Sequence, residues 1–132
     1  MAISRLPDAE LEIMKIIWKC GGSATSFQIS QGLEGKKEWA VTTILNFLAR
    51  MVDREFLTVQ RSGKVNTYIS IVDELEYLEM ESRSFLERLH GNSLKSLIAA
   101  LYSGEAISRD DVEELKRFID EKAAEEKPEG AL

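Results

Sequence analysis

Apolar residues recur at helical spacing from the start of the chain. Leu11, Met14, Ile17 and Trp18 lie on one side of a helix, and Ile13 and Ile16 widen that side. Pro7 fits the first helical position, Asp8 and Glu10 stand in the first turn where the helix dipole favours acids, and Gly21-Gly22 stops the run. Thr25 and Gln28 read as a capping box for a short second helix carrying Phe27, Ile29 and Leu33, closed by Gly35. After the polar link Lys36-Lys37-Glu38, a third helix is predicted from about Trp39 to Arg54.

The period then changes. Residues 56–71, FLTVQRSGKVNTYISI, are rich in β-branched and aromatic types on both sides of Ser62-Gly63-Lys64, which predicts a β-hairpin with Arg61 and Lys64 at its tip. Beyond Asp73 the helical period returns. Leu75, Leu78, Ser82, Phe85 and Leu89 form a seam of alternating three- and four-residue steps, broken by His90-Gly91-Asn92. Leu94, Leu97, Ile98 and Leu101 predict a fifth helix ending near Gly104. Ser108 and Asp111 form a weak capping box for a sixth, with Val112, Leu115, Phe118 and Ile119 on one side. From Ala123 onward apolar anchors are lacking and the chain is expected to fray.

Three helices followed directly by a hairpin, within about 70 residues, is the winged-helix order. The expected fold is mainly α with a small β-wing: a winged helix-turn-helix domain over residues 1–72 and a C-terminal three-helix arm over residues 73–132. The third helix carries the functional signal. At about 100° per residue, Val41, Ile44, Leu45, Leu48, Met51 and Val52 share an arc expected to face the core. Trp39, Thr42, Thr43, Asn46, Ala49, Arg50 and Asp53 share the opposite arc. Thr reads a base edge or a thymine methyl, Asn pairs with adenine in the major groove, and Arg50 is spaced for a phosphate or a base edge. Trp39 suits either a sugar-phosphate wall or a cap on the core.

Charge sharpens this picture. The 132 residues sum to a formal charge of −6. Residues 1–72 hold nine Lys/Arg and seven Asp/Glu, so +2; residues 73–132 hold eight and sixteen, so −8; the two add back to −6. Only the first part is suited to meet phosphate. Cys20, the one cysteine, and His90, the one histidine, cannot build a structural zinc site, and Cys20 at the end of an apolar run is expected to be buried or half-buried. There is no Gly-rich phosphate loop, no nucleophile–base set and no paired carboxylates in a plausible cleft, so neither an enzyme nor a cofactor is expected. No secretory pattern is present and no apolar run approaches a membrane span, so the expected setting is the cytoplasm.

The segments LPDAELEIMKIIWKCGG, TSFQISQGL, WAVTTILNFLARMVDREFLTVQRSGKVNTYISI and SFLERLHGNSLKSLIAAL together resemble the penicillinase-repressor (BlaI/MecI/CopY) family of bacterial transcriptional regulators over about residues 5–122. The most specific parts are Glu10-Leu11-Glu12 with Trp18, Trp39 with Thr43 and Arg50, and the GNSLKSL bend. The resemblance implies a homodimeric repressor that reads a palindromic operator through helix 39–54 and hairpin 56–71. It makes Thr42, Thr43 and Asn46 groove-reading positions, and Arg50, Arg61 and Lys64 backbone contacts. The dimer interface is expected at Leu75, Leu78, Phe85, Leu89, Leu94, Leu97 and Leu101; the first four are too many apolar groups for a lone helix, and a partner subunit would bury them.

The chain departs from the family pattern in three places. Leu45 stands where members often carry a basic residue. Ala100-Leu101 stands where inducible members carry a protease-cleaved Asn-Phe bond, which argues against a signal-dependent protease as partner. The C-terminal cysteine cluster of the copper-responsive branch is missing. The competing reading is a winged-helix module that binds a protein partner rather than specific DNA, favoured by the low positive charge of the third helix.

Overall fold

The structure, a computed structural model, describes residues 3–126. Its elements run α1 (Asp8–Lys19), β1 (Ser23–Thr25), α2 (Ser26–Leu33), α3 (Val41–Asp53), β2 (Leu57–Ser62), β3 (Val65–Ser70), α4 (Glu74–His90), α5 (Leu94–Ser103) and α6 (Arg109–Glu125). The chain divides into two compact units, Met1–Arg83 and Ser84–Leu132, with the division inside α4.

The first unit is built around the helical faces that the periodicity selects. Ile13, Met14 and Ile17 of α1, Ile29 and Leu33 of α2, and Ile44, Leu48 and Met51 of α3 are buried together with Phe56, Leu57 and Tyr68 of the hairpin. The hairpin closes through a two-residue turn, Gly63-Lys64, with Ser62 opposite Val65. Gly63 takes φ 64, the left-handed conformation that the first central position of a type II′ turn requires. Sequence reasoning missed one strand. β1 pairs antiparallel with β3, Thr25 opposite Thr67, giving a three-stranded sheet in the order β1-β3-β2. Three residues are too few to show a period of two, and their only local signals, the Gly21-Gly22 stop and the Thr25 cap, belong to the flanking helices.

The predicted caps form. Thr25 accepts from the Gln28 amide at 3.1 Å while the Gln28 side chain accepts from the Thr25 amide at 2.9 Å. At the end of α1, Gly22 N–H reaches the Ile17 carbonyl and Gly21 N–H the Trp18 carbonyl, a Schellman closure with Gly21 at the left-handed position. The end of α3 closes in the same way, Phe56 N–H to Met51 and Glu55 N–H to Val52, but with Glu55 at φ 64.

Tyr77, in the first turns of α4, belongs to the core of this unit. Its hydroxyl accepts from the Leu6 amide at 2.8 Å, and its ring lies 5.8 Å from that of Trp18. Burial, followed by the hydrogen bond with Glu81, pushes the phenol up to about 12. Cys20 corrects an expectation: it is exposed, not buried or half-buried. It caps α1 after the helix has left the core, so the apolar period no longer governs it.

The second unit is differently made. His90 Nδ1 lies 2.9 Å from Ser96 Oγ, Ser93 caps α5 through the Ser96 amide, and Ser108 and Asp111 form a reciprocal capping box at α6. Hydrogen bonds from the Ser108 amide and hydroxyl hold the Asp111 carboxyl below its ordinary value. No residue of α5 or α6 is fully buried. α6 continues through Ala123 to Glu125, so the expected fraying does not begin at Ala123; residues 127–132 lie outside the described residues.

Candidate nucleic-acid interface

The outward face of α3 is set by how the helix is rolled against the core. Ile44, Leu48 and Met51 are buried, with Phe47 and Val52 packed partly against them. This corrects the sequence-based arc. Val41 and Leu45, expected inside, are 63% and 39% exposed, while Phe47, on the other side of the buried arc, packs partly against the core. The apolar residues of α3 span more of its circumference than the core can cover, and α1, α2 and β2, which pack on it, select which of them are enclosed.

The roll leaves Thr42, Asn46 and Arg50 exposed, each four residues from the last and so in one row along the helix. Thr43 is half-buried beside them. Trp39 precedes the helix, which begins at Val41 with Ala40 as an extended N-cap. Its half-buried ring stands edge-on to Phe47 at 5.2 Å, so it caps the core, with the Lys37 ammonium 5.9 Å above it. Ala40 has no side-chain acceptor to cap α3, so among the described residues its first amides are left without a capping side chain. Arg61 is exposed on β2 opposite Asn66, and Lys64 is exposed in the turn, so the wing presents both cations.

Arg50 has a partner that sequence reasoning missed. Glu10 of α1 is only 2% exposed, and its carboxylate lies 3.6 Å from the Arg50 guanidinium and 3.7 Å from that of Arg54. Arg50 also lies over the Phe47 ring at 5.2 Å, and Arg54 over Phe56 at 5.6 Å. Arg54 donates further to Ser4 Oγ and the Arg5 carbonyl. The pairing neutralises a buried carboxylate and ties α1 to the exposed end of α3, while Arg50 stays 61% exposed. A signal existed: Glu10 stands four residues before Met14 and seven before Ile17, on the buried face of α1.

The remaining candidate residues lie on the arm helices. Leu75, Leu78, Phe85 and Leu89 of α4 and Leu94 of α5 are exposed; Leu97 and Leu101 are half-buried. Between α5 and α6 runs an open groove of about 760 Å³ lined by Leu94, Ile98, Tyr102, Val112, Leu115 and Ile119. Ala100 is exposed and lies with Leu101 inside α5. Among the described residues no helix is long and apolar enough to cross a membrane.

A helix-turn-helix whose third helix shows a hydroxyl, an amide and a guanidinium outward, followed by a cationic wing, defines a DNA-binding winged-helix protein. The chain belongs to the penicillinase-repressor family, whose model matches residues 6–121, a family of transcriptional repressors and not of enzymes. It is 31% identical over 119 residues to the penicillinase repressor of Bacillus licheniformis, covering 90% of this chain and 92% of that one. It is 26% identical over 117 residues to the methicillin resistance regulatory protein MecI of Staphylococcus aureus (strain N315), covering 89% and 94%. Among solved structures, the DNA binding domain of the repressor BlaI matches 58% of this chain and 92% of its own length at 33% identity and a TM-score of 0.51.

Proposed function

We propose that the protein represses transcription as a homodimer on a palindromic operator in the cytoplasm. α3 enters the major groove, where Thr42, Thr43 and Asn46 read bases. Arg50 and the wing residues Arg61 and Lys64 hold the phosphate backbone. The observation that carries this reading is the exposed row Thr42, Asn46 and Arg50 on the helix that leads directly into a wing bearing two exposed cations. Backbone contacts set register while base-edge contacts give sequence preference, and this face supplies both kinds of group.

The homodimer is supported by the arm. Exposed Leu75, Leu78, Phe85, Leu89 and Leu94 are large apolar groups, and a second copy covering them, with Leu97 and Leu101, removes them from water. Two copies related by a two-fold axis present two α3 helices to the two halves of a palindrome.

Fluorescence anisotropy on a duplex from upstream of the protein's own gene, beside a scrambled duplex at two salt concentrations, tests the reading. Tighter binding to a specific sequence that weakens as salt rises is expected. Asn46→Ala should narrow the gap between specific and scrambled duplexes, while Lys64→Ala weakens both about equally. If sites selected from random DNA also bind no better than scrambled duplex, the reading is wrong.

A further inference from the structure

The roll of α3 leaves two rows on its outward face. Thr42, Asn46 and Arg50 make the polar one. Val41, Leu45 and Ala49, also four apart, make an apolar one beside it. Val41 and Leu45 are the exposed aliphatics here, 63% and 39% accessible, and both stand in the N-terminal half of the helix, the part that a recognition helix places in the groove. Arg50 is the one cation of α3, it stands near the C-terminal end, and Glu10 already shares it. The N-terminal half of α3 therefore has no guanidinium or ammonium to place on guanine O6 and N7, the commonest specific contact in the major groove. It offers branched hydrocarbon instead. The major groove presents one group complementary to hydrocarbon, the C5 methyl of thymine.

We propose that Val41 and Leu45 read thymine methyl groups and so determine operator specificity, an inference that rests on the DNA-binding reading above. Two aliphatic side chains and an alanine are too small for a stable protein–protein patch, which takes about 800 Å² on each partner. They are the right size for one or two methyl groups. The row also runs beside the hydroxyl and amide of Thr42 and Asn46, so one helix face can make hydrogen bonds to one base pair and apolar contact with its neighbour. On this reading the protein tells thymine from cytosine by a methyl group that adds to affinity and by a position where no carboxylate waits for the cytosine amine.

The test uses the full-length protein and the tightest duplex selected from random DNA. Each thymine in turn is replaced by deoxyuridine, which keeps base pairing and the O4 acceptor and removes only the methyl. Wild type is expected to lose about 4-fold in affinity at each contacted position, the equivalent of ~0.8 kcal/mol for a buried methyl. Val41→Ala/Leu45→Ala should bind thymine and uracil duplexes alike, with circular dichroism and salt slope unchanged because the fold and the phosphate contacts are untouched. Equal binding of both duplexes by wild type overturns the inference and leaves operator reading intact; a row that serves a protein partner gives this result. A double variant that still prefers thymine also overturns it. Failure to prefer any duplex over scrambled DNA overturns the DNA-binding reading, and this inference with it.

Discussion

The two units bury their apolar residues to different depths. In Met1–Arg83, Ile13, Met14, Ile17, Leu48 and Met51 are wholly enclosed, and even a carboxylate, Glu10, is drawn in and neutralised by two arginines. In Ser84–Leu132, α5 and α6 are well capped yet enclose no residue completely, and Phe85, Leu89, Leu94, Phe118 and Ile119 remain exposed. Capping satisfies the ends of a helix but does not offset the conformational entropy lost on folding; burial does that. The first unit has a closed core of its own. The second reads as half of one, with its missing apolar cover supplied by a second copy under the proposed assembly, so that folding and dimerisation are linked there by mass action.

The largest effect is expected where that link is cut. Phe85→Glu places a charge in the proposed interface and should shift sedimentation velocity from dimer to monomer, weakening self-association by at least about 100-fold, or ~3 kcal/mol. In the wild type, thermal unfolding of the second unit should depend strongly on protein concentration while that of the first does not, and Phe85→Glu should abolish that dependence. A dimer that survives the change moves the interface off α4. Leu48→Ala should act in the opposite unit: a cavity in an enclosed core costs about 3 kcal/mol in urea unfolding, with the oligomeric state unchanged.

Tyr77 should give the first unit a pH signature. Its phenol is raised from 10.0 to about 12 by burial, so below about pH 10 both folded and unfolded chains keep the proton. Above that the unfolded chain releases it first, and stability falls as pH rises toward about 12, by at most about 2 kcal/mol. Tyr77→Phe should be less stable at neutral pH, having lost the acceptor for Leu6, and should lack this slope in a pH series of melting curves.

The smallest expected effect is a gain. Glu55 occupies the left-handed position after α3 that glycine holds after α1. Glu55→Gly should stabilise the first unit by about 0.5 kcal/mol, because relief of the Cβ strain slightly exceeds the extra freedom of the unfolded chain. Differential scanning calorimetry showing no gain would mean that the Glu55 conformation carries little strain.

The order of elements was written in the sequence, because its causes are local. Helical periods, the Thr25 and Ser108 caps, the glycine stops and the switch to β-branched residues around Gly63 each act within a few positions, and each element formed where those signals stood. The polar row of the candidate site was legible for the same reason: Thr42, Asn46 and Arg50 share a face in any α-helix. What sequence periodicity could not decide is how α3 is rolled. Seven large apolar residues compete for a core that encloses three, and the elements packed on α3, namely α1, α2 and β2, determine that Phe47 packs partly against the core while Val41 and Leu45 turn out. Contacts far apart in sequence were likewise decided by tertiary structure: the pairing of β1 with β3, the burial of Tyr77, and the clasp of Glu10 by Arg50 and Arg54. A period records where a side chain points around its own helix axis, but not what stands opposite it.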